Sequence, residues 1–210
     1  MKELFDSIIK NTVKPLLSDN RFRKKALYFY CQKDDLIFII HFQKSQYNHT
    51  AHTRFYINCG IHSLAIDKTL SKAGQTEPDK IIYCYSKRIS EIINSTTDGY
   101  DITEDTDLNA LSNKLTNDLN SALQFFDTVA TTDALVNLMI QENGLYNHEE
   151  LVEYLFVTNN EKELHQYVNA LYTRFGSENR WAIFEKKMND IFIKYNSRQT
   201  VSELINNCYG

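Results

Sequence analysis

Apolar and polar positions recur with two different periods along this chain. Between residues 26 and 61 the period is two. The runs ALYFYCQ (26–32), LIFIIHFQKS (36–45) and RFYINCGI (54–61) are rich in aromatic and β-branched residues, which predicts strands. Lys33-Asp34-Asp35 supplies a turn between the first two, and QYNHTAH (46–52) a polar connection before the third. IIYCYSKRI (81–89) predicts another strand, and Tyr100 with Ile102 a short one. Residues 62–79 carry Gly74 and Pro78 and only weak periodicity, and read as a loop with room for a helical turn.

A helical period flanks this region. Phe5, Ile8, Ile9, Val13 and Leu16 predict a helix over 2–17, kinked or ended near Pro15. From residue 105 the period is about 3.6, and Leu108, Leu111, Leu115, Leu119, Ala122 and Phe126 share one helix face. Further helices are marked by Leu135, Leu138 and Met139, with a stop expected at Gly144, and by Leu151, Tyr154 and Leu155 behind a capping pattern from Asn147 to Glu150. Leu164, Tyr167, Val168, Leu171 and Phe175 mark the next, stopped by Gly176. Ser177 is expected to cap a helix with the stripe Trp181, Phe184, Met188, Ile191 and Tyr195, and Thr200 with Glu203 forms a capping box for a short last one. The pattern predicts an α+β fold. A small antiparallel sheet packed against helices spans 1–130, and an α-helical C-terminal region, 131–210, packs on it.

The strand period also sorts side chains by face. Leu36, Phe38, Ile40 and Phe42 point one way, with Phe55, Ile57, Cys59 and Ile61 of the following strand. That face must be covered, and the helices at 2–17 and 105–127 are the expected cover. The opposite face carries Ile37, Ile39, His41 and Gln43, then Arg54, Tyr56, Asn58 and Gly60, continued by His62, with Arg88 on the next strand. If the strands pair in the natural register, these polar groups converge. An Arg with amide and imidazole neighbours can recognise a carboxylate, a phosphate or a peptide backbone. The candidate binding residues are therefore His41, Gln43, Arg54, Tyr56, Asn58, His62 and Arg88, set against a plain solvated sheet face.

Composition narrows the chemistry. The chain has 210 residues, 42% of them hydrophobic and 12% aromatic, which suits a sizeable core. The formal net charge of −4 argues against a nucleic-acid binder. The one basic cluster, Arg21, Arg23, Lys24 and Lys25, reads as a solvated turn, with an anion site as the alternative. No apolar run is long enough to cross a membrane, and Glu3 and Asp6 interrupt the first apolar stretch, unlike a signal peptide. Cys31, Cys59, Cys84 and Cys208 lack metal-ligand spacing and read as core thiols of a reducing compartment. His41, His49, His52 and His62 lie near one another in sequence without a carboxylate or thiolate at ligand spacing, so neither metal nor cofactor is expected. Ser45 has no nucleophile elbow, Cys59 points away from His62, and no Gly-rich phosphate loop occurs.

A family resemblance falls on the same strands. FRKKALYFY (22–30), DLIFIIHFQKS (35–45), RFYINCGI (54–61) and CYSKRISEI (84–92) together resemble the DUF4304 family over roughly residues 1–130. The likeness rests on His41-Phe42-Gln43-Lys44-Ser45, on Phe55-Tyr56-Ile57-Asn58-Cys59-Gly60-Ile61 and on Arg88-Ile89, and departs from the family pattern at His41 and Tyr85. It implies the fold above and a bacterial cytoplasmic protein. By analogy with similar small α+β proteins, it also suggests an immunity-type protein that neutralises a toxin. The expectation is a non-enzymatic protein with a protein partner. The competing one is an enzyme or small-anion binder with Arg54 as anchor and His41 as acid or base.

Overall fold

The computed structural model describes residues 1–74 and 76–206, so Cys208 lies outside the described residues. The chain divides into two compact units, Met1–His62 with 76–130, and Ser63–Gly74 with 131–206. The fold is α+β, with an antiparallel sheet in the first unit and helices in the second.

The first unit opens with α1 (Lys2–Ile8), a π-helical turn (Ile9–Val13) and α2 (Lys14–Asp19). The irregularity expected at Pro15 lies one turn earlier. Pro15 has no N–H to donate, and just before it the ladder shifts register, with the Lys14 amide donating to the Ile9 carbonyl. Of the basic cluster Arg21 lies in a turn as read, but Arg23, Lys24 and Lys25 form a strand: β1 (Arg23–Lys25) pairs with β2 (Tyr28–Lys33), and β2 with β3 (Leu36–Lys44). Next come β4 (Thr53–Ser63), β5 (Tyr85–Arg88) and β6 (Tyr100–Ile102). The strand order is β1-β2-β3-β4-β5, with β6 also against β4. The strand expected over 81–89 is only half formed. Ile81 and Cys84 are buried in irregular backbone, and Ile89 already begins α4 (Ile89–Ile92).

The inner sheet face is covered as its apolar pattern requires. Phe5 of α1 meets Phe55 edge-on at 5.1 Å, and Phe126 of α5 (Leu108–Thr128) lies 5.0 Å from Phe38. Leu115, Leu119, Ala122 and Phe126 are all buried, so α5 contributes one continuous stripe. Each large side chain so buried is worth about 1.5–3 kcal/mol relative to exposure. Asp107 caps α5 by accepting from the amides of Asn109 and Ala110.

In the second unit, the helical turn allowed for within 62–79 is α3 (Leu64–Thr69), capped by the Ser63 hydroxyl. The helices α6 (Thr132–Glu142), α7 (His148–Val157), α8 (Glu161–Phe175), α9 (Trp181–Lys194) and α10 (Val201–Asn206) follow. In α9 the buried stripe takes Phe192 in place of the expected Tyr195, which is exposed just past the helix end, and three caps also differ from the reading. Asn143, in the left-handed region at φ 48°, ends α6 ahead of Gly144. Asn147 precedes α7 without a side-chain cap bond, and Arg180 rather than Ser177 stands at the start of α9. The Thr200–Glu203 box is present, each side chain accepting from the other's amide at 2.9 and 3.3 Å.

Candidate functional site

Register decides which side chains share the outer sheet face. Tyr28 stands opposite His41, Tyr30 opposite Ile39 and Gln32 opposite Ile37. Asn58 stands opposite Arg88, and Arg54 opposite Asp101. Cross-strand partners point the same way, so the polar positions converge on one surface.

At its centre is Arg88. Its Nη1 donates to Asn58 Oδ1 at 2.8 Å and to Gln43 Oε1 at 3.1 Å, and Asn58 Nδ2 donates to the same Gln43 oxygen at 3.1 Å. The guanidinium lies 4.5 Å from the centre of the Tyr56 ring, and Nε is 3.7 Å from Asp98. The backbone is fixed too, because the Arg88 amide donates to Glu91 Oε1 at 2.9 Å where β5 passes into α4. Arg88 is thus pinned by two amides, a ring and a carboxylate while its side chain keeps 29% of its exposure.

Arg54 flanks this cluster with its guanidinium engaged by neighbouring groups. Its Nη2 donates to the Asp98 carbonyl at 2.6 Å, and Nη1 lies 3.6 Å from Asp101. Its Nε is buried and has no hydrogen-bond partner. Asn48 clamps the residue's backbone, accepting from its amide at 2.7 Å and donating to its carbonyl at 2.9 Å. His52 adds a further contact, its Nε2 lying 2.7 Å from Asp101. Arg88 and Arg54 therefore alternate with Asp98 and Asp101, a network neutralised from within the chain.

His41 borders the cluster. Its ring stacks flat on Tyr28 at 4.0 Å. Burial, and secondarily the nearby Arg88 charge, lowers its pKa below 6.5, so it is neutral at physiological pH. His62 stands apart. It is 3% exposed, and its Nδ1 is 3.0 Å from the Ile82 carbonyl, where it holds the chain after residue 80 against the sheet. The Tyr83 ring lies over Gly60, where a Cβ would meet it at 2.8 Å. This same region covers the outer face at Gly60, and on β3 Ile37 and Ile39 are buried.

Of the sequence-derived candidates, Gln43, Tyr56, Asn58 and Arg88 share direct contacts, Arg54 and His41 border them, and His62 does not reach them. The aspartates that balance the arginines, Asp98 and Asp101, were not singled out in the sequence. Their only signal is the Asp98-Gly99 turn. Gly99 has φ 87°, and a Cβ there would come within 3.0 Å of the Tyr56 ring. Among the described residues no cluster of three or more His, Cys, Asp or Glu side chains could hold a metal ion. Burial pushes the Cys59 thiol up to about 12, the opposite of an activated nucleophile. No helix is long and apolar enough to cross a membrane among the described residues.

The cluster coincides with a known sequence family. The model of the family described as "Domain of unknown function (DUF4304)" matches residues 13–128. No curated protein and no solved structure matches the chain.

Proposed function

This chain belongs to the DUF4304 family, and from that premise and the geometry of the outer sheet face we propose a non-enzymatic binding protein of the bacterial cytoplasm that holds a protein partner on that face. The observation that carries the reading is Arg88, pre-positioned by Gln43 and Asn58 and stacked on Tyr56. A guanidinium and an aromatic ring already locked in place lose little conformational freedom when a partner docks, and Arg and Tyr are enriched among residues that dominate interface energies. A small-anion site built on Arg54 has less support, because that guanidinium already serves Asp98 and Asp101. The narrower form of the reading is an immunity-type protein occupying a toxin. Its support is the analogy with other small α+β proteins.

The test is to capture partners from the native host with the wild-type chain and with Arg88→Ala, then titrate the captured protein against both. Loss of a central Arg anchor is expected to weaken binding by about 2 kcal/mol, some thirtyfold. An unchanged affinity in a folded Arg88→Ala protein refutes the assignment.

A further inference from the structure

We propose that the groove at the β1–β2 end of the outer sheet face binds an acidic, carboxylate-rich segment of a partner protein. This rests on the reading that the outer face receives a protein, and adds the chemistry of the part that reaches this end.

The groove has a volume of about 880 Å³ and is lined by Arg21, Arg23 and Lys33 together with Tyr30, Gln32 and Ile37, with Asp34 as the only carboxylate lining it among the described residues. A chain of net charge −4 thus gathers three cations against one anion at a single concavity. Two of the three are uncommitted. Lys33 pairs with Asp127 at 2.8 Å, whereas Arg21 and Arg23 meet no carboxylate at ion-pair distance among the described residues.

Both arginines are nonetheless held in position through their backbones. Arg21 occupies the left-handed region at φ 68° in the turn that ends α2, where its amide donates to the Ser18 carbonyl and that of Phe22 to the Leu17 carbonyl. The buried Phe22 side chain anchors that turn. Arg23 is set by its pairing with Tyr30, which places both on the outer face. Arginine's planar fork suits bidentate capture of carboxylates.

The chain itself shows which chemistry this strand accepts. Lys25, two residues along β1 on the same face as Arg23, binds Asp79 at 2.7 Å and Glu77 at 2.8 Å. Those bonds raise the Lys25 pKa and lower both carboxyls. The segment carrying them begins at the groove wall, where Thr76 stands. An acidic stretch of this chain's own therefore occupies one end of a basic track, and Arg23 and Arg21 continue it. Lys25 and Arg23, alternate positions of β1, are about 7 Å apart, so the fitting ligand is extended where it meets β1, and Arg21 in the adjoining turn receives its next carboxylate.

The probe is a fluorescein-labelled octapeptide alternating Glu and Ala, titrated by anisotropy against the full chain, with a Lys–Ala peptide as control. The Glu peptide is expected to bind, to weaken by about tenfold from low to high salt, and to weaken by about tenfold or more in Arg21→Glu/Arg23→Glu. The peptide titration with the Arg21 and Arg23 variants reads the groove and partner capture with Arg88→Ala reads the Arg88 platform, so failure of one is distinguishable from failure of the other. In Glu77→Gln/Asp79→Asn, where Lys25 is released, affinity is expected to rise about threefold. Circular dichroism checks that each variant is folded, and Arg21→Gln/Arg23→Gln replaces the charge reversal if that variant unfolds. Equal binding of the Lys peptide, or an unchanged affinity in the arginine variants, overturns the proposal. Complete displacement of the peptide by inorganic phosphate marks a simple anion site instead, and capture by anionic vesicles that the arginine variants lose marks a membrane surface. Either result also overturns it.

Discussion

At the residue scale, two glycines and one histidine carry the sharpest expectations. Gly60 lies under the Tyr83 ring, and even one added methyl must displace an aromatic side chain. Gly60→Ala is expected to destabilise the protein by about 1–3 kcal/mol in urea denaturation and to expose the segment around Ile81–Cys84 to hydrogen exchange. Gly99 combines φ 87° with contact against Tyr56, so Gly99→Ala should strain the turn and shift the ring on which Arg88 rests. His41 has a folded-state pKa below the ordinary 6.5. The unfolded chain then binds more protons than the folded one, so this contribution is complete above pH 6.5 and is lost as pH falls toward the folded value. His41→Phe should flatten that part of the stability-versus-pH curve measured by denaturant titration. His148, whose pKa is likewise lowered by burial, supplies the same dependence independently in the helical unit.

At the element scale, the sheet was the most legible part of the sequence. The side chains of Leu36 to Gln43 alternate between the two faces, because a residue at period two has only one face to occupy, and Phe5 and Phe126 complete the inner one. Phe126→Ala is accordingly expected to cost about 3–5 kcal/mol by calorimetry or denaturation. What alternation could not show was tertiary in origin. Ile81–Cys84 looks like a strand but is apolar because it is buried in irregular backbone. The basic run at 23–25 looks like solvated turn, yet it pairs with β2 as an edge strand whose charges face water. Arg54 and Arg88 were visible as a pair from their strand positions. That Arg54 would be engaged by the Asp98 carbonyl and the Asp101 carboxylate was not, since both arrive some 45 residues later in the chain, from the turn before β6 and from β6 itself.

At the scale of the molecule, the outer sheet face presents three zones. One is covered where Tyr83 lies on Gly60 and His62 meets the Ile82 carbonyl. The centre holds a fixed arginine on a tyrosine. The β1–β2 end is a basic groove. Rigid aromatic and guanidinium groups beside a charged concavity suit recognition of a folded partner with an acidic edge. The most direct measurement is an amide hydrogen-exchange footprint of the full chain with and without the partner it captures from its host. Protection is expected in 28–32, 37–45, 54–60 and 86–88, and is expected to disappear with Arg88→Ala. A footprint confined to the helices from residue 132 onward, or no protein retained by the wild-type chain at all, contradicts the account.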